Sequence, residues 1–160
     1  MYSALSPLDF VGKWRRSTLN KDRAAQEHFV DLCQLVGHLP PASLDPHGTW
    51  FVFDARTVGR SAGEPARIDV WKKDFFAWEY RAKKNELQEA HQQLLQAFRL
   101  LGSPPLLITC NFERIEIHTK FSNDANRQLV LTLDDLLLPE GLEALRAVFF
   151  NPRLLLQLSL

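Results

Sequence analysis

Asp69, Glu79 and Arg81 lie within a short stretch, residues 67–84, that predicts two strands joined by a tight turn. A three-residue loop in this hairpin pairs Lys72 with Phe76 and places Asp69 opposite Glu79. Directly opposed side chains lie about 5 Å apart at Cβ. Two carboxylates at that separation repel each other unless a cation lies between them. The hairpin therefore predicts a cation at the Asp69–Glu79 pair.

That cation is either a divalent metal ion or a neighbouring basic side chain. Mg²⁺ prefers oxygen ligands and is commonly held by one or two carboxylates. A bound metal can activate water and stabilise the leaving oxygen of a phosphodiester, and Asp69, Glu79 and Arg81 match such a site in outline. Strand alternation also places Arg81 and Lys83 on the Glu79 face. A cross-strand ion pair is thus the alternative, and the spacing alone favours it.

The remaining chain predicts two helices, then strands with one further helix inserted. Ser6 and Pro7 mark the start of the first helix, and the second is predicted from Asp22 to Val36. Further predictions are a strand over 49–54, a polar connection over 55–66, a helix capped by Asn85, strands over 106–109, 115–119 and 129–132, and a helical segment over 134–150 interrupted near Pro139. This order predicts an α/β (or α+β) fold with a mixed central sheet flanked by helices.

Length and composition predict one globular domain over residues 1–160. The two cysteines form no CxxC or Cys/His cluster, and the chain begins without a basic and apolar leader, so a cytoplasmic protein is expected. The net charge is zero, but residues 13–23 carry five bases against one acid, while residues 111–145 carry seven acids against three bases. This distribution suits a polyanion on one side of the protein, although scattered solvated charges explain it more simply.

Seven short segments, taken in order, resemble one protein family. They are Ala24–Cys33, Asp69–Lys72, Phe76–Tyr80, Gln93–Gln96, Pro104–Leu107, Arg114–Thr119 followed by Phe121, and Leu131–Leu136. Together they resemble the N-terminal region of large bacterial DNA methyltransferases of the MmeI-like type IIG/IIL restriction–modification group, and of related phage-defence methylases. The resemblance extends over nearly the whole chain, to about Pro152.

The resemblance implies a restriction-endonuclease-like domain of the PD-(D/E)xK type that cleaves double-stranded DNA with Mg²⁺ or Mn²⁺. It implies that Asp69 and Glu79 are metal ligands and that Glu27, on the second helix, supports the metal through water. A DNA methyltransferase or a defence-system subunit is the implied protein partner. The expected contacts to phosphate and DNA are Gln93, Lys83 and Lys84.

This chain departs from the family pattern where the chemistry is most demanding. The pattern has lysine two residues after the glutamate, and this chain has Arg81, whose planar guanidinium differs from a compact ammonium. Lys83 on the same face is one substitute; a metal-free Arg81–Glu79 ion pair is the other reading. Two hypotheses therefore stand: a metal-dependent endonuclease, or a non-catalytic module that binds DNA or a methyltransferase partner. Methyltransferase motifs are absent from these 160 residues, so methylation by this chain alone is not expected.

Overall fold

The computed structural model describes residues 5–56 and 67–158, so ten of the twelve positions in the predicted 55–66 connection lie outside the described residues. The helices are α1 Pro7–Arg16, α2 Lys21–Val36, α3 Pro41–Leu44, α4 Leu87–Ala97 and α5 Pro139–Phe150. The strands are β1 Phe51–Arg56, β2 Arg67–Lys72, β3 Phe76–Tyr80, β4 Leu106–Cys110, β5 Arg114–Thr119 and β6 Gln128–Thr132. Short 3₁₀ segments occupy Lys84–Glu86, Asp134–Leu137 and Pro152–Gln157. No helix in these two ranges has the length and apolar character needed to cross a membrane.

The six strands form one sheet in sequence order, from β1 to β6. Strands β3 and β4 run parallel, and the other four neighbouring pairs are antiparallel. Helix α4 lies in the connection between the parallel strands, as a parallel crossover requires. The predicted mixed sheet flanked by helices is confirmed, and so is the hairpin register that pairs Lys72 with Phe76.

The sheet separates two apolar layers. Helices α1, α2 and α5 cover one face, where Phe29 of α2 makes edge-to-face contacts with Phe76 and Trp78. Helix α4 covers the other face through Leu94 and Ala97. Strand β4 is buried on both faces, as its continuous apolar run predicts. Trp78 is fully buried, so its side chain packs in the core instead of offering a stacking surface for bases.

Local capping fixes where α2 begins and ends, and this matters for the site described below. The Asn20 side chain accepts a hydrogen bond from the Arg23 backbone N–H at 3.1 Å, and Gly37 ends the helix with a positive φ of 76°. The predicted Asn85 cap is wrong. Residues Lys84–Glu86 form a 3₁₀ turn that leads into α4, and neither segment has a side-chain cap.

Candidate functional site

Three carboxylates lie in one row across the first three strands. The β1–β2 pairing has the same register on both sides of Asp54, which places Asp54 opposite Asp69. The β2–β3 ladder ends at the Val70–Trp78 pair, and one further step in this register places Asp69 opposite Glu79. The sequence predicted the second of these two juxtapositions and missed the first.

In this row, hydrogen bonds from backbone to side chain take the place of the backbone–backbone hydrogen bonds between β2 and β3. The Asp69 N–H donates to Glu79 Oε1 at 3.0 Å, and the Tyr80 N–H donates to Asp69 Oδ2 at 2.8 Å. Each carboxylate is thus bound to the backbone of the opposite strand. These two reciprocal hydrogen bonds fix both acids at the end of the hairpin, against each other.

Each carboxylate of the pair has one basic side chain beside it. Arg81 Nη1 lies 3.1 Å from Glu79 Oε2 and also donates to the Tyr80 carbonyl oxygen at 2.9 Å, while Arg81 Nη2 donates to the Gln93 side chain. Lys21, the first residue of α2, places its Nζ 3.4 Å from Asp69 Oδ2. Arg81, a predicted catalytic residue, and Gln93, a predicted DNA contact, are therefore hydrogen-bonded to each other beside Glu79. Lys21 is an addition that the sequence did not indicate.

Glu79 carries a buried and strongly perturbed carboxyl group. Only 5% of the residue is exposed. Burial, followed by the hydrogen bond and charge of the neighbouring Asp69 carboxyl, raises the pKa of Glu79 well above its usual value, to about 7, although Arg81 opposes the rise. Without a further cation, Glu79 therefore holds a proton over much of the range in which an ordinary glutamate is charged.

This raised pKa predicts a pH-dependent cost in stability. A carboxyl group whose pKa is higher in the folded than in the unfolded protein contributes its full stabilisation below the pKa of the unfolded state, near 4.5. That stabilisation is lost as the pH rises through the pKa of the folded state, about 7. We expect Glu79→Gln to match the original chain near pH 4.5 and to exceed it by about 2 to 3 kcal/mol above pH 8. Urea unfolding of both proteins in EDTA at the two pH values measures the difference. A pH-independent difference would contradict the expectation.

The carboxylates open into a cavity of about 510 Å³ at the end of the sheet where β1 and β3 finish and β2 begins. Asp69 keeps 26% of its side chain exposed there and Lys21 keeps 30%. The first turns of α2 form the opposite wall. The lining residues with polar side chains are Lys21, Asp22, Gln26, Asp54, Arg67, Asp69, Glu79 and Tyr80.

Asp54 has an unusual backbone for a residue in a strand. Its φ is 60°, in the left-handed region that non-glycine residues rarely adopt. Arg67 pairs with both of its carboxylate oxygens, and this pairing lowers the pKa of Asp54. The sequence signal that could have identified Asp54 is its position as a single acid at the end of the apolar run of β1. Its position opposite Asp69 depends on how β1 pairs with β2.

Glu27 is not brought to the Asp69–Glu79 pair. Its carboxylate lies 3.6 Å from Lys13 Nζ on α1, and its side chain is half exposed. Helical geometry explains this. The α2 face that lines the cavity consists of Lys21, Asp22, Ala25 and Gln26. Glu27 follows Gln26 by a further rotation of about 100° about the helix axis, which takes its side chain out of that face. In the parts of the chain that the structure describes, no three His, Cys, Asp or Glu side chains are grouped as metal ligands.

The remaining predicted DNA contacts lie outside the cavity. Lys83 and Lys84 are exposed where β3 gives way to the 3₁₀ turn, and neither lines the cavity. Lys84 instead lines a separate depression, in which both basic and acidic side chains lie. Gln93 is exposed on α4 and reaches the site only through Arg81.

A comparison with protein families matches residues 4–153 of this chain to the family described as MmeI, N-terminal domain. Neither the curated proteins nor the solved structures compared with the chain include a match. The matched range contains the whole sheet, the carboxylate row and both basic side chains beside it. The chain therefore belongs to the MmeI N-terminal domain family, a module related to restriction–modification.

Proposed function

We propose that Asp69 and Glu79 bind Mg²⁺ or Mn²⁺ and that the domain cleaves double-stranded DNA within a restriction–modification or phage-defence methyltransferase system. One observation carries the proposal. Two carboxyl groups are fixed in contact by reciprocal hydrogen bonds, and the buried one has a pKa of about 7 although Arg81 pairs with it. The buried Glu79 carboxyl is thus poorly solvated, and a cation bound beside it would favour its charged form.

The donor set fits a hard divalent cation. Carboxylate oxygens are the ligands that Mg²⁺ and Mn²⁺ prefer, and Mg²⁺ sites commonly use one or two protein carboxylates completed by water and phosphate. Asp69 is partly exposed to a cavity that has room for those further ligands. When bound, the metal would supply charge neutralisation at the phosphate and a more acidic water.

The chain's own residues orient the site and balance its charge. The backbone N–H groups of Asp69 and Tyr80 hold the two carboxylates in place. Lys21 and Arg67 line the cavity among its acidic side chains, so that with a metal bound the site would attract a DNA phosphate. In the hydrolysis, the oxygen of water bonds to phosphorus, one phosphorus–oxygen bond to a sugar breaks, and the departing oxygen takes up a proton.

Plasmid cleavage by the purified protein tests this proposal. We expect supercoiled DNA to be nicked or linearised with Mg²⁺ or Mn²⁺ and to stay intact in EDTA. Arg81→Lys, which restores the family pattern, is expected to cleave at least as fast as the original chain. Absence of metal-dependent cleavage by both proteins would overturn the catalytic proposal.

A second candidate is a non-catalytic module that binds DNA or docks on a methyltransferase partner. The observation in its favour is that each carboxylate already has a basic partner, Lys21 for Asp69 and Arg81 for Glu79. Such a module needs no metal, so its binding to DNA or to the partner would be the same with and without EDTA. Metal-dependent cleavage decides between the two candidates.

A further inference from the structure

We propose that Lys21, on α2, is the catalytic cation of this site and replaces the lysine that the family pattern places two residues after the glutamate. This inference rests on the proposed cleavage activity. It assigns the charge to a different element of the fold, 58 positions before Glu79 in the sequence. Three features support it: the environment of Arg81, the position of Lys21, and the way in which α2 is held.

Arg81 stands at the expected position, but its guanidinium is already engaged. Nη1 contacts both Glu79 Oε2 and the Tyr80 carbonyl oxygen, and Nη2 donates to Gln93. Only 15% of its side chain is exposed. Three of its five N–H donors are thus engaged and the group lies outside the cavity, so Arg81 acts as a positioning residue for the Glu79 carboxylate.

Lys21 has the access that Arg81 lacks. Its ammonium lies 3.4 Å from Asp69 Oδ2, its side chain is 30% exposed, and it lines the cavity. Arg81 does not line that cavity. An ammonium is a compact charge with three donors on a flexible stem, so Lys21 can keep its contact with Asp69 while it donates to a phosphate oxygen or to the attacking water.

The fold fixes the backbone from which Lys21 extends. The Asn20 cap sets the start of α2 one residue before Lys21. Two turns further on, Phe29 anchors the helix in the aromatic core of the sheet, where it contacts Trp78 on the strand that carries Glu79. The spacing between Lys21 and the carboxylates is therefore determined by core packing, in the way that the sheet determines the spacing between the carboxylates.

Removal of the Lys21 charge separates catalysis from folding and metal binding. In Lys21→Met we expect the cleavage rate to fall at least about 100-fold. Because a partly exposed ion pair contributes less than about 1 kcal/mol, we expect the unfolding free energy to stay close to that of the original chain. Mn²⁺ binding measured by calorimetry should be unchanged or tighter, since the ammonium no longer competes for Asp69. DNA affinity in Ca²⁺ should fall less than about tenfold, as for the loss of one phosphate contact.

Two further variants complete the experiment. Lys21→Arg retains a positive charge and is expected to recover part of the activity lost in Lys21→Met. Arg23→Met removes an exposed charge from the same helix, away from the cavity, and is expected to cleave normally. Cleavage by Lys21→Met at the original rate would overturn the role of Lys21 and leave the proposed function standing. A lack of cleavage by the original chain and by Arg81→Lys would overturn both.

Discussion

Glu79→Gln is expected to lower the rate of metal-dependent DNA cleavage by about 10³-fold or more. The substitution keeps the shape of the side chain and an oxygen that can accept from the Asp69 N–H. It removes the negative charge with which residue 79 would bind a divalent cation. Without that cation, the site loses the positive charge that would stabilise the transition state of phosphodiester hydrolysis. Plasmid cleavage in Mg²⁺ and in Mn²⁺ measures the loss.

The chain offers a matched control for this variant. Glu116 is a carboxylate on β5 that pairs with Arg114 at 2.6 Å, two residues away, much as Glu79 pairs with Arg81. Its side chain is also largely buried, at 13% exposed, but it lies outside the cavity that contains Asp69. Glu116→Gln should therefore cleave at the rate of the original chain. Equal losses in both variants would show that disturbance of the sheet, and not a lost metal ligand, limits activity.

Gly141→Ala is expected to destabilise the fold by about 3 kcal/mol or more, which lowers Tm by roughly 6–12 °C. A Cβ at this position would lie 2.0 Å from the backbone oxygen of Asp135. That backbone cannot move freely, because the Asp135 carboxylate accepts hydrogen bonds from both the N–H and the hydroxyl of Thr132 at the end of β6. Thermal and urea unfolding measure the effect.

Helix propensity alone predicts the opposite sign, because alanine is the better helix former. Gly12→Ala in α1 provides the comparison, since its new Cβ would meet only the end of the flexible Arg16 side chain, at 3.3 Å. We expect that variant to be as stable as the original chain or more stable by up to about 1 kcal/mol. If Gly141→Ala were as stable as Gly12→Ala, the close contact between α5 and the 134–137 turn would be contradicted.

The hairpin and the starts of α1 and α2 could be predicted because their signals are local. Ser6 accepts from the Asp9 N–H as the capping pattern indicates, and α2 begins one residue before its predicted start. The break in the 134–150 segment falls at Leu138, so that Pro139 begins α5 at a position where proline is favoured. Strand β1 begins at Phe51, two residues later than predicted, because the Asp45 carboxylate accepts from the N–H groups of Trp50 and Phe51 and holds this entry as a turn.

The missed parts of the site depend on contacts between distant segments. Asp54 joins the carboxylate row only through the β1–β2 register, which neither strand specifies by itself. Lys21 reaches Asp69 because α2 packs across the sheet, which helical periodicity alone does not specify. Glu27 was assigned from the family resemblance, whereas the rotation of α2 directs it towards Lys13.

Calorimetric titration with Mn²⁺ tests most directly whether Asp69 and Glu79 form a metal centre. The predicted result is one binding site per chain at pH 8, with weaker binding at pH 5.5 because the raised pKa of Glu79 makes protons compete for that carboxylate. Glu79→Gln and Asp69→Asn should each abolish the site, and Glu116→Gln should leave it intact. Absence of binding by the original chain at pH 8, or equal binding by Glu79→Gln, would contradict the metal centre.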